Sequence, residues 1–375
     1  MYSEVRRPLE MSLPEELLTL AERFRVGGYE LYVVGGAVRD TILGLPPKDF
    51  DVATNATPTQ VKDLLVPHGY SLLEVGEAFG VVAVVLPYPL EKLEIATFRE
   101  DLSAGRHPVV RFATIEEDVR RRDLTINALF YDIINKEVVD LVGGLHDLEF
   151  GVVRTVGDPN LRFAEDRLRV MRTIRFAARF GWPVGVETER SILFDNNLDG
   201  VSPERVRDEF VKSLATAKSV PELLELMDWF EMWPRVLPGL KVSQRRDIES
   251  RNVAVVLSQL LEQNDVELVA RRLNELRYSD VEVRQTSFLM RFRDLTVDNA
   301  FKLRKSYFHS QLTRQEVGQY VLERGSPNPR LALAFADYLD FPPVKGEELL
   351  AQGYSGRDLG VELERRETEL FRRLG

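Results

Sequence analysis

Two aspartates separated by one residue, Asp49 and Asp51, have the spacing in this sequence that most directly suggests chemistry. In a β-strand, residues i and i+2 point to the same face and lie roughly 7 Å apart. Two carboxylates placed in this way can bind divalent cations, as two-metal phosphoryl transfer requires, while Phe50 would point into the core. The alternative is a solvated strand end that binds no metal.

A glycine pair precedes these aspartates. Gly35 and Gly36 follow an apolar strand that ends at Val34 and lead into a predicted helix. Glycines at such a turn let backbone N–H groups approach a phosphate, and the helix N-terminus adds partial positive charge. Arg39 lies near the start of this helix, where a cation is unfavourable for the helix dipole and needs another reason. The spacing matches neither GxGxxG nor a Walker A loop, and a simple tight turn is the alternative.

A third acidic residue, Glu94, lies between Leu93 and Ile95 in another predicted strand. A carboxylate inside an apolar strand is costly unless it binds something. Glu94 is therefore our candidate for the third catalytic carboxylate. An exposed strand face is the alternative.

Four segments resemble the motifs of a known family. The segments GGAVRD (35–40) and KDFDVAT (48–54) resemble the nucleotidyltransferase signature of class II CCA-adding enzymes (tRNA nucleotidyltransferases) and bacterial poly(A) polymerases. The segments RRDLTINALFYD (121–132) and EDRLRVMRTIRFAARF (165–180) resemble the family's second motif and its base-selecting helix. The resemblance is strong over 30–215 and weak over the remainder.

The resemblance implies roles for residues of these two later segments. Arg122 and Asp123 would contact the incoming nucleotide, and Asn127 its sugar or phosphate. Arg172 and Arg175 would hold the triphosphate. Without the resemblance, the arginine run at 120–122 could equally be a solvated turn.

Asp166 and Arg169 are the residues to which the resemblance gives base selection. On a continuous helix their i,i+3 spacing puts them on one face, where a surface salt bridge is the alternative role. Aspartate accepts hydrogen bonds and arginine donates them, which matches the Watson–Crick edges of cytosine and adenine. Uracil and guanine would turn a carbonyl toward the carboxylate, and an unpaired buried acceptor costs about 1–3 kcal/mol.

A loop near residues 97–107 resembles the flexible loop that, in the family, is thought to help the change from C to A addition. Its residues here are Arg99, Gly105 and Arg106. The loop is shorter than usual and carries Ala104 where relatives often have an acidic residue. An enzyme that adds only A or only CC therefore remains an alternative to full CCA addition.

The shared motifs do not separate CCA addition from poly(A) addition. The chain carries a formal net charge of −10, whereas a processive binder of arbitrary RNA needs many phosphate-neutralising cations. We therefore expect CMP, CMP and AMP to be added from CTP and ATP to the tRNA 3′ end, without a nucleic-acid template. An inactive RNA-binding protein on this scaffold is disfavoured because the glycine pair and both aspartates are intact.

The elements that must position these residues change character near residue 150. Short apolar runs predict five strands, at 30–34, 50–53, 80–86, 92–97 and 137–141, and 124–131 fits a helix or a strand. Apolar residues at helical spacing dominate after about residue 160 and predict a helix over 164–180. We expect an α+β protein: a nucleotidyltransferase head with a five-stranded mixed sheet (1–150), then a helical neck (151–218), body (219–300) and tail (301–375).

Composition excludes several kinds of site. The 375 residues include no cysteine and four histidines, so disulfides and thiolate zinc sites are excluded and a hard cation such as Mg²⁺ is expected. No apolar run approaches the ~20 residues of a membrane span, so we expect a cytoplasmic protein. The sequence also gives no sign of an obligatory protein partner. In the tail, Lys302, Arg304 and Lys305 are candidates for contact with the tRNA backbone.

Overall fold

The computed structural model describes residues 4–73, 80–86, 92–103, 109–324 and 329–374. The chain forms two compact units, Met1–Val201 and Ser202–Gly375. This boundary places the predicted head in one unit with the segment predicted to select the base. The finer division of the chain at residues 150, 218 and 300 stays a prediction.

The described β-strands are short and lie in the first unit. In chain order they are β1 (Val5–Pro8), β2 (Leu31–Val34), β3 (Asp51–Thr54), β4 (Ser71–Leu73), β5 (Val81–Val85), β6 (Lys92–Thr97), β7 (Arg99–Asp101), β8 (Val110–Phe112), β9 (Phe130–Asp132) and β10 (Glu137–Asp140). Strand β2 is buried throughout, whereas β6 alternates between exposed and more buried residues. These patterns are those of a central strand and of a strand with one solvated face.

Eight of the described strands form one mixed sheet in the order β1-β10-β9-β2-β3-β6-β5-β4, and β7 pairs with β8 in a separate hairpin. Strands β3 and β6 are parallel, and the other pairs in the sheet are antiparallel. Val34 lies opposite Asp51, and Val52 lies beside Ile95. The glycine turn, Asp51 and Glu94 therefore lie at one level of three neighbouring strands.

The α+β class is confirmed, but the prediction of five strands is wrong. The five predicted strands correspond to β2, β3, β5, β6 and β10, and the sheet also contains β1, β4 and β9. Strand β1 has the sequence VRRP and is exposed throughout, so it carries no alternating apolar pattern. Strand β1 is instead held in the sheet by its antiparallel pairing with β10.

The described part of the first unit also contains eight α-helices. They are α1 (Glu15–Val26), α2 (Gly36–Ile42), α3 (Pro58–Leu65), α4 (Ile115–Arg120), α5 (Gly144–Phe150), α6 (Pro159–Glu165), α7 (Leu168–Phe180) and α8 (Val186–Phe194). Helix α3 begins with a capping box between Thr57 and Gln60 and has Pro58 in its first turn. The ambiguous segment 124–131 contains a 3₁₀ turn, Thr125–Asn127, and then enters β9.

A buried aromatic cluster supports the centre of the head. The aromatic rings of Tyr32, Phe98 and Phe130 pack together, and the distance between ring centroids is 6.0 Å for each pair. Ala53 of β3 and Val139 of β10 belong to the same core. This packing anchors β2, β3 and β9 beneath the candidate site.

The described part of the second unit is helical, which confirms the predicted change in character. Its helices are α9 (Pro203–Thr216), α10 (Val220–Trp229), α11 (Trp233–Val236), α12 (Val253–Leu260), α13 (Val266–Glu275), α14 (Asp280–Phe292), α15 (Ala300–Ser310), α16 (Arg314–Arg324), α17 (Pro329–Asp340), α18 (Gly346–Ala351) and α19 (Gly356–Leu374). Phe288, Phe335 and Phe371 are among the buried side chains of its core. Among the described helices, none is long and apolar enough to cross a membrane.

Candidate active site

The glycine turn adopts a backbone that requires glycine. Gly35 has φ 71° and ψ −125°, a combination available to glycine alone, and Gly36 is the first residue of α2. The Gly35 amide donates to the carbonyl of Leu129 at 3.0 Å. The turn is thereby joined to the segment that leads from Arg122 to β9.

The two aspartates lie beside this turn. Asp51 is the first residue of β3, and Asp49 lies just before the strand rather than in it. Both residues are exposed, and Phe50 is half-buried. Partial desolvation raises the pKa of Asp51; the charges of Asp49 and Glu94 raise it further, and Arg122 opposes them. The charges of two other carboxylates and one guanidinium therefore act on the pKa of Asp51.

Glu94 lies on β6, where its side chain is exposed and pairs with Lys92 at 2.8 Å. Across the described ranges, no three His, Asp or Glu side chains are arranged as a set of metal ligands. Two exposed aspartates nevertheless suit Mg²⁺, which often binds one or two carboxylates together with waters and substrate phosphates. The role of Glu94 as a third carboxylate stays a prediction.

The arginine run is ordered by a carboxylate that sequence reasoning missed. Asp118 of α4 accepts hydrogen bonds from Arg121 at 2.7 and 2.9 Å and from Arg122 at 2.9 and 3.1 Å. The guanidinium of Arg122 also lies 4.6 Å from the centre of the Phe130 ring. The i,i+3 and i,i+4 spacing in DVRRR is a signal from which Asp118 could have been found.

Asp123 and Arg172, two predicted nucleotide contacts, bind each other. Arg172 donates to Oδ2 of Asp123 through Nε at 2.7 Å and approaches it with Nη2 at 2.6 Å. Burial alone would raise the pKa of Asp123, but Arg172 and the amide of Leu124 lower it overall. This pair joins the RRD segment to helix α7.

Arg39 is buried in this structure, with 3% of its surface exposed. Its guanidinium donates to Asn127, binds Asp40 at 2.7 Å, and lies 5.1 and 5.5 Å from the ring centres of Phe176 and Phe180. Burial lowers its pKa. The structure thus supplies the reason for a cation within the short helix α2: Arg39 connects that helix to α7.

Asp40 and Asn127 complete the same contact. Asp40 also binds Arg179 of α7 at 3.3 Å. Asn127 is buried, and its Nδ2 has no hydrogen-bond partner within the described chain. Helix α7 and the glycine-turn helix α2 are therefore bound together within the first unit.

The predicted continuous helix over 164–180 is wrong. Helix α6 ends at Glu165, Asp166 has extended angles (φ −150°, ψ 105°), and α7 begins at Leu168. Oδ1 of Asp166 accepts the Leu168 amide at 3.1 Å. A short acidic side chain competes in this way with the helical backbone, so Asp166 and Arg169 are not stacked on one helix.

Arg169 and Arg175 lie on α7. Arg169 binds Glu165 at 2.6 Å and donates to the carbonyls of Arg162 at 3.1 Å and Arg121 at 2.7 Å. Arg175 is buried, and its guanidinium lies 4.3 Å from the centre of the Phe176 ring. Arg169 therefore links the predicted base-reading position to the carbonyl next to Arg122.

The segment predicted as the flexible loop includes strand β7, whose first residue is Arg99. Burial lowers the pKa of Arg99, and its Nε lies 3.3 Å from Asp101. Gly105 and Arg106 lie outside the described residues. The structure therefore describes the base of this loop on both strands of the β7–β8 hairpin.

In the tail, the prediction that Arg304 contacts tRNA is wrong. Arg304 is 3% exposed, binds Glu367 at 2.8 Å and lies 4.3 Å from the centre of the Tyr338 ring. Lys302 and Lys305 are exposed on α15; Lys302 pairs with Glu364 at 3.3 Å, and Lys305 lies over the Phe301 ring. Arg304 lies on the side of α15 that packs into the core, so its side chain is shielded from solvent.

Comparison with known proteins places the chain in a family. Residues 31–154 match the family described as the poly A polymerase head domain. The CCA-adding enzyme of Bacillus pumilus is 33% identical over 346 residues, which are 88% of this chain and 83% of that enzyme. The chain belongs to the tRNA nucleotidyltransferase and poly(A) polymerase family. The resemblance inferred from the motifs is thereby confirmed.

Other members of the family differ in how much of the chain they match. Poly(A) polymerase I of Salmonella typhi is 37% identical over 237 residues, which are 59% of this chain and 50% of that enzyme. The chain thus spans about half the length of such relatives. The structure of the Bacillus stearothermophilus CCA-adding enzyme in complex with CTP covers 96% of this chain, and 93% of that structure is matched, with a TM-score of 0.69 at 24% identity. This likeness shows the shared fold of the head and the helical remainder.

Proposed function

We propose that this protein adds CMP, CMP and AMP, from CTP and ATP, to the 3′ end of tRNA without a nucleic-acid template, with release of pyrophosphate. One observation carries the proposal: the similarity to a CCA-adding enzyme extends over 88% of this chain, helical second unit included. The match to a poly(A) polymerase covers 59% of the chain. The similarity to this CCA-adding enzyme therefore extends further along the chain than the similarity to the poly(A) polymerase.

Asp49 and Asp51 would hold a divalent cation, and Mg²⁺ suits their oxygen ligands. Desolvation, with the charges of Asp49 and Glu94 added to it, raises the pKa of Asp51, and this supports the role because a bound cation would stabilise the ionised carboxylates. When bound, a pair of such ions would lower the pKa of the attacking 3′ hydroxyl and neutralise the leaving pyrophosphate. The chain itself contributes the two carboxylates at the start of β3.

The cationic side chains beside the turn would bind the triphosphate. Gly35 and Gly36 would present backbone amides, and Arg122 would supply charge next to them. Arg172 and Arg175 of α7 would bind further phosphate oxygens, and Arg39 would join them if its contacts with Asp40 rearranged. Asp123 and Asn127 would contact the sugar, and Nδ2 of Asn127 is a buried donor that lacks a described partner.

Asp166 and Arg169 would read the base. The extended backbone at Asp166, between two helices, supports this role because it offers a carboxylate at a helix break rather than along a helix surface. Arg169 would exchange its contact with Glu165 for the ring acceptors of cytosine or adenine. Selection would follow from matching donors and acceptors to the Watson–Crick edge.

Poly(A) addition is the second candidate, and the match of residues 31–154 to the poly A polymerase head domain favours it. Product length separates the two functions. The protein would be incubated with Mg²⁺, CTP and ATP, together with either a tRNA transcript lacking CCA or an unstructured RNA of equal length. Addition of three nucleotides to the tRNA alone supports the proposal, and long A-tails on both RNAs would replace it with poly(A) addition.

A further inference from the structure

Asp118 is a buried carboxylate to which none of the proposed catalytic steps gives a task. It lies on α4 with 1% of its surface exposed. Arg121 occupies its Oδ1 and Arg122 its Oδ2, each through two nitrogens. Oδ1 also accepts the amide of Arg99 at 3.2 Å. A buried carboxylate that receives two guanidinium groups and a backbone amide holds all three in defined positions.

The orientation of Arg122 follows from these contacts. Its Nε and Nη2 face Asp118, and the Phe130 ring lies against the guanidinium. The remaining nitrogen, Nη1, lies 4.0 Å from the position that a Cβ on Gly35 would occupy. Arg122 is thus held with Nη1 toward the glycine turn.

Arg121 extends the same arrangement toward the base-reading side. Its Nε donates to the carbonyl of Arg99 at 3.1 Å, so the base of the β7–β8 hairpin is attached to the same carboxylate. The carbonyl of Arg121 accepts Nη2 of Arg169 at 2.7 Å. Asp118 therefore fixes the segment that contacts both ends of the proposed nucleotide site.

We propose that Asp118 is a positioning residue: it orients Arg122 toward the glycine turn and so tightens nucleotide binding without touching the nucleotide. This inference rests on the proposed nucleotidyl transfer. The carboxylate offers one oxygen to each arginine, and an amide in its place would present a donor to one of them. Arg122 would then lose the contact that sets its direction.

The test compares Asp118→Asn, Arg122→Gln and the double variant. The Michaelis constants for CTP and ATP rise about 10-fold or more in each single variant. This is the change in affinity expected when one hydrogen bond to a charged group is lost. The Michaelis constant for tRNA stays unchanged. The double variant resembles Arg122→Gln alone, because Asp118 acts through Arg122.

Asp228→Asn is the matched control in the second unit. Asp228 also receives two guanidinium nitrogens, from Arg246, and accepts Nε1 of Trp233 at 2.7 Å. This variant lowers the melting temperature but leaves the nucleotide Michaelis constants at the wild-type value. If Asp118→Asn does the same, Asp118 is a structural residue only and the inference is overturned.

Two further outcomes bear on the inference. Arg122→Lys keeps a positive charge beside Asp118 and so protects the fold. Its single ammonium nitrogen cannot both bind Asp118 and face the glycine turn, so its nucleotide Michaelis constants should also rise. Wild-type values for Arg122→Lys, or effects of Asp118→Asn and Arg122→Gln that multiply, would contradict the inference. Calorimetric titration with CTP alone supplies a readout without RNA, so failure of the wild-type protein to extend tRNA is distinguishable from failure of this inference.

Discussion

At the scale of single residues, the candidate site is defined by charges placed close together. Asp51 lies near the carboxylates of Asp49 and Glu94 and near the guanidinium of Arg122. Desolvation, with repulsion from Asp49 and Glu94 added to it, disfavours the ionised form of Asp51 in the folded protein. The same group of carboxylates suits a cation. Removing the charge of Asp51 should therefore stabilise the metal-free protein but lower the activity measured with metal.

The first prediction concerns the two aspartates separately. Asp49→Asn and Asp51→Asn should each lower kcat about 10²–10⁴-fold, because a metal ion supplies several kcal/mol of charge stabilisation. Asp63→Asn, a change at an exposed residue of α3, is the matched control and should keep wild-type turnover. Steady-state kinetics with Mg²⁺ and CTP measure the effect, and near-normal turnover of either site variant would refute the metal assignment.

The second prediction concerns stability and pH. The pKa of Asp51 is raised in the folded protein, so its ionised form destabilises the fold above the unfolded pKa of about 3.9. Asp51→Asn should therefore increase the free energy of unfolding without metal at neutral pH, and this gain should fade as the pH falls toward 3. Urea unfolding at a series of pH values measures it.

Magnesium gives the control for this prediction. Adding Mg²⁺ should stabilise the wild-type protein more than Asp51→Asn, because the ion binds the folded site with both carboxylates. A loss of stability in Asp51→Asn that is equal at pH 3 and pH 8 would show that Asp51 is not disfavoured by its surroundings.

The residues of the site differ in how far the sequence could predict them. The spacing of Asp49 and Asp51 made both carboxylates candidates, but Asp49 lies before β3, so the strand period alone does not set their relative position. The burial of Arg39 could not be predicted, since the rings of Phe176 and Phe180 that cover it come from a helix far along the chain. Helical spacing could have identified Asp118 as a partner of Arg121 and Arg122, but its burial depends on tertiary packing.

At the scale of elements, the glycine turn and the break before α7 set the geometry. The turn was predicted from an apolar strand followed by two glycines, and the structure places it beside Asp51. The break at Asp166 was not predicted, because the apolar spacing runs on from α6 into α7. A local hydrogen bond from Leu168 to Asp166 decides the backbone there. Strand β1 was missed for a related reason: its hydrogen bonds with β10 hold it in the sheet, and its sequence has no alternating apolar pattern.

The third prediction tests the turn. Gly35→Ala should destabilise the protein by about 1–3 kcal/mol, because φ 71° with ψ −125° strains any residue that has a Cβ. It should also raise the Michaelis constant for CTP, since the turn lies at the proposed phosphate site. Gly44→Ala is the control: Gly44 has φ +70° with no atom near its Cβ position. Thermal unfolding and kinetics should show a stability loss in both variants and a nucleotide effect only at Gly35.

Equal nucleotide constants in the two glycine variants would contradict this prediction. In that case the turn would be needed for folding only, and the proposed phosphate contact would lie elsewhere.

At the scale of the whole molecule, the chain comprises a first unit that contains the proposed catalytic and base-reading residues and a helical second unit. The change of pattern near residue 150 predicted the helical remainder correctly. It did not predict which cations of the tail face solvent, because Arg304 and Lys305 are adjacent in sequence and diverge only when α15 packs. Glu367 accepts Arg304, Tyr338 and the amide of Val344, so this carboxylate joins α15, α17 and α19.

The fourth prediction separates the tail cations. Arg304→Gln should destabilise the protein by about 3–5 kcal/mol, because it leaves Glu367 buried without its counter-charge. The double change Lys302→Glu and Lys305→Glu should leave the free energy of unfolding nearly unchanged and raise the Michaelis constant for tRNA several-fold, most at low salt. An unchanged Michaelis constant for tRNA after this charge reversal would remove the tail lysines from the RNA contact.

The most direct measurement is extension at single-nucleotide resolution with Mg²⁺, CTP and ATP. Its substrates are three tRNA transcripts: one lacking CCA, one ending in C and one ending in CC. Full CCA addition predicts that all three products end at CCA and that omission of ATP stops the first two at CC. A halt at CC with both nucleotides present, extension of the CC-ending transcript alone, or continued A addition beyond CCA would contradict template-independent CCA addition by this single chain.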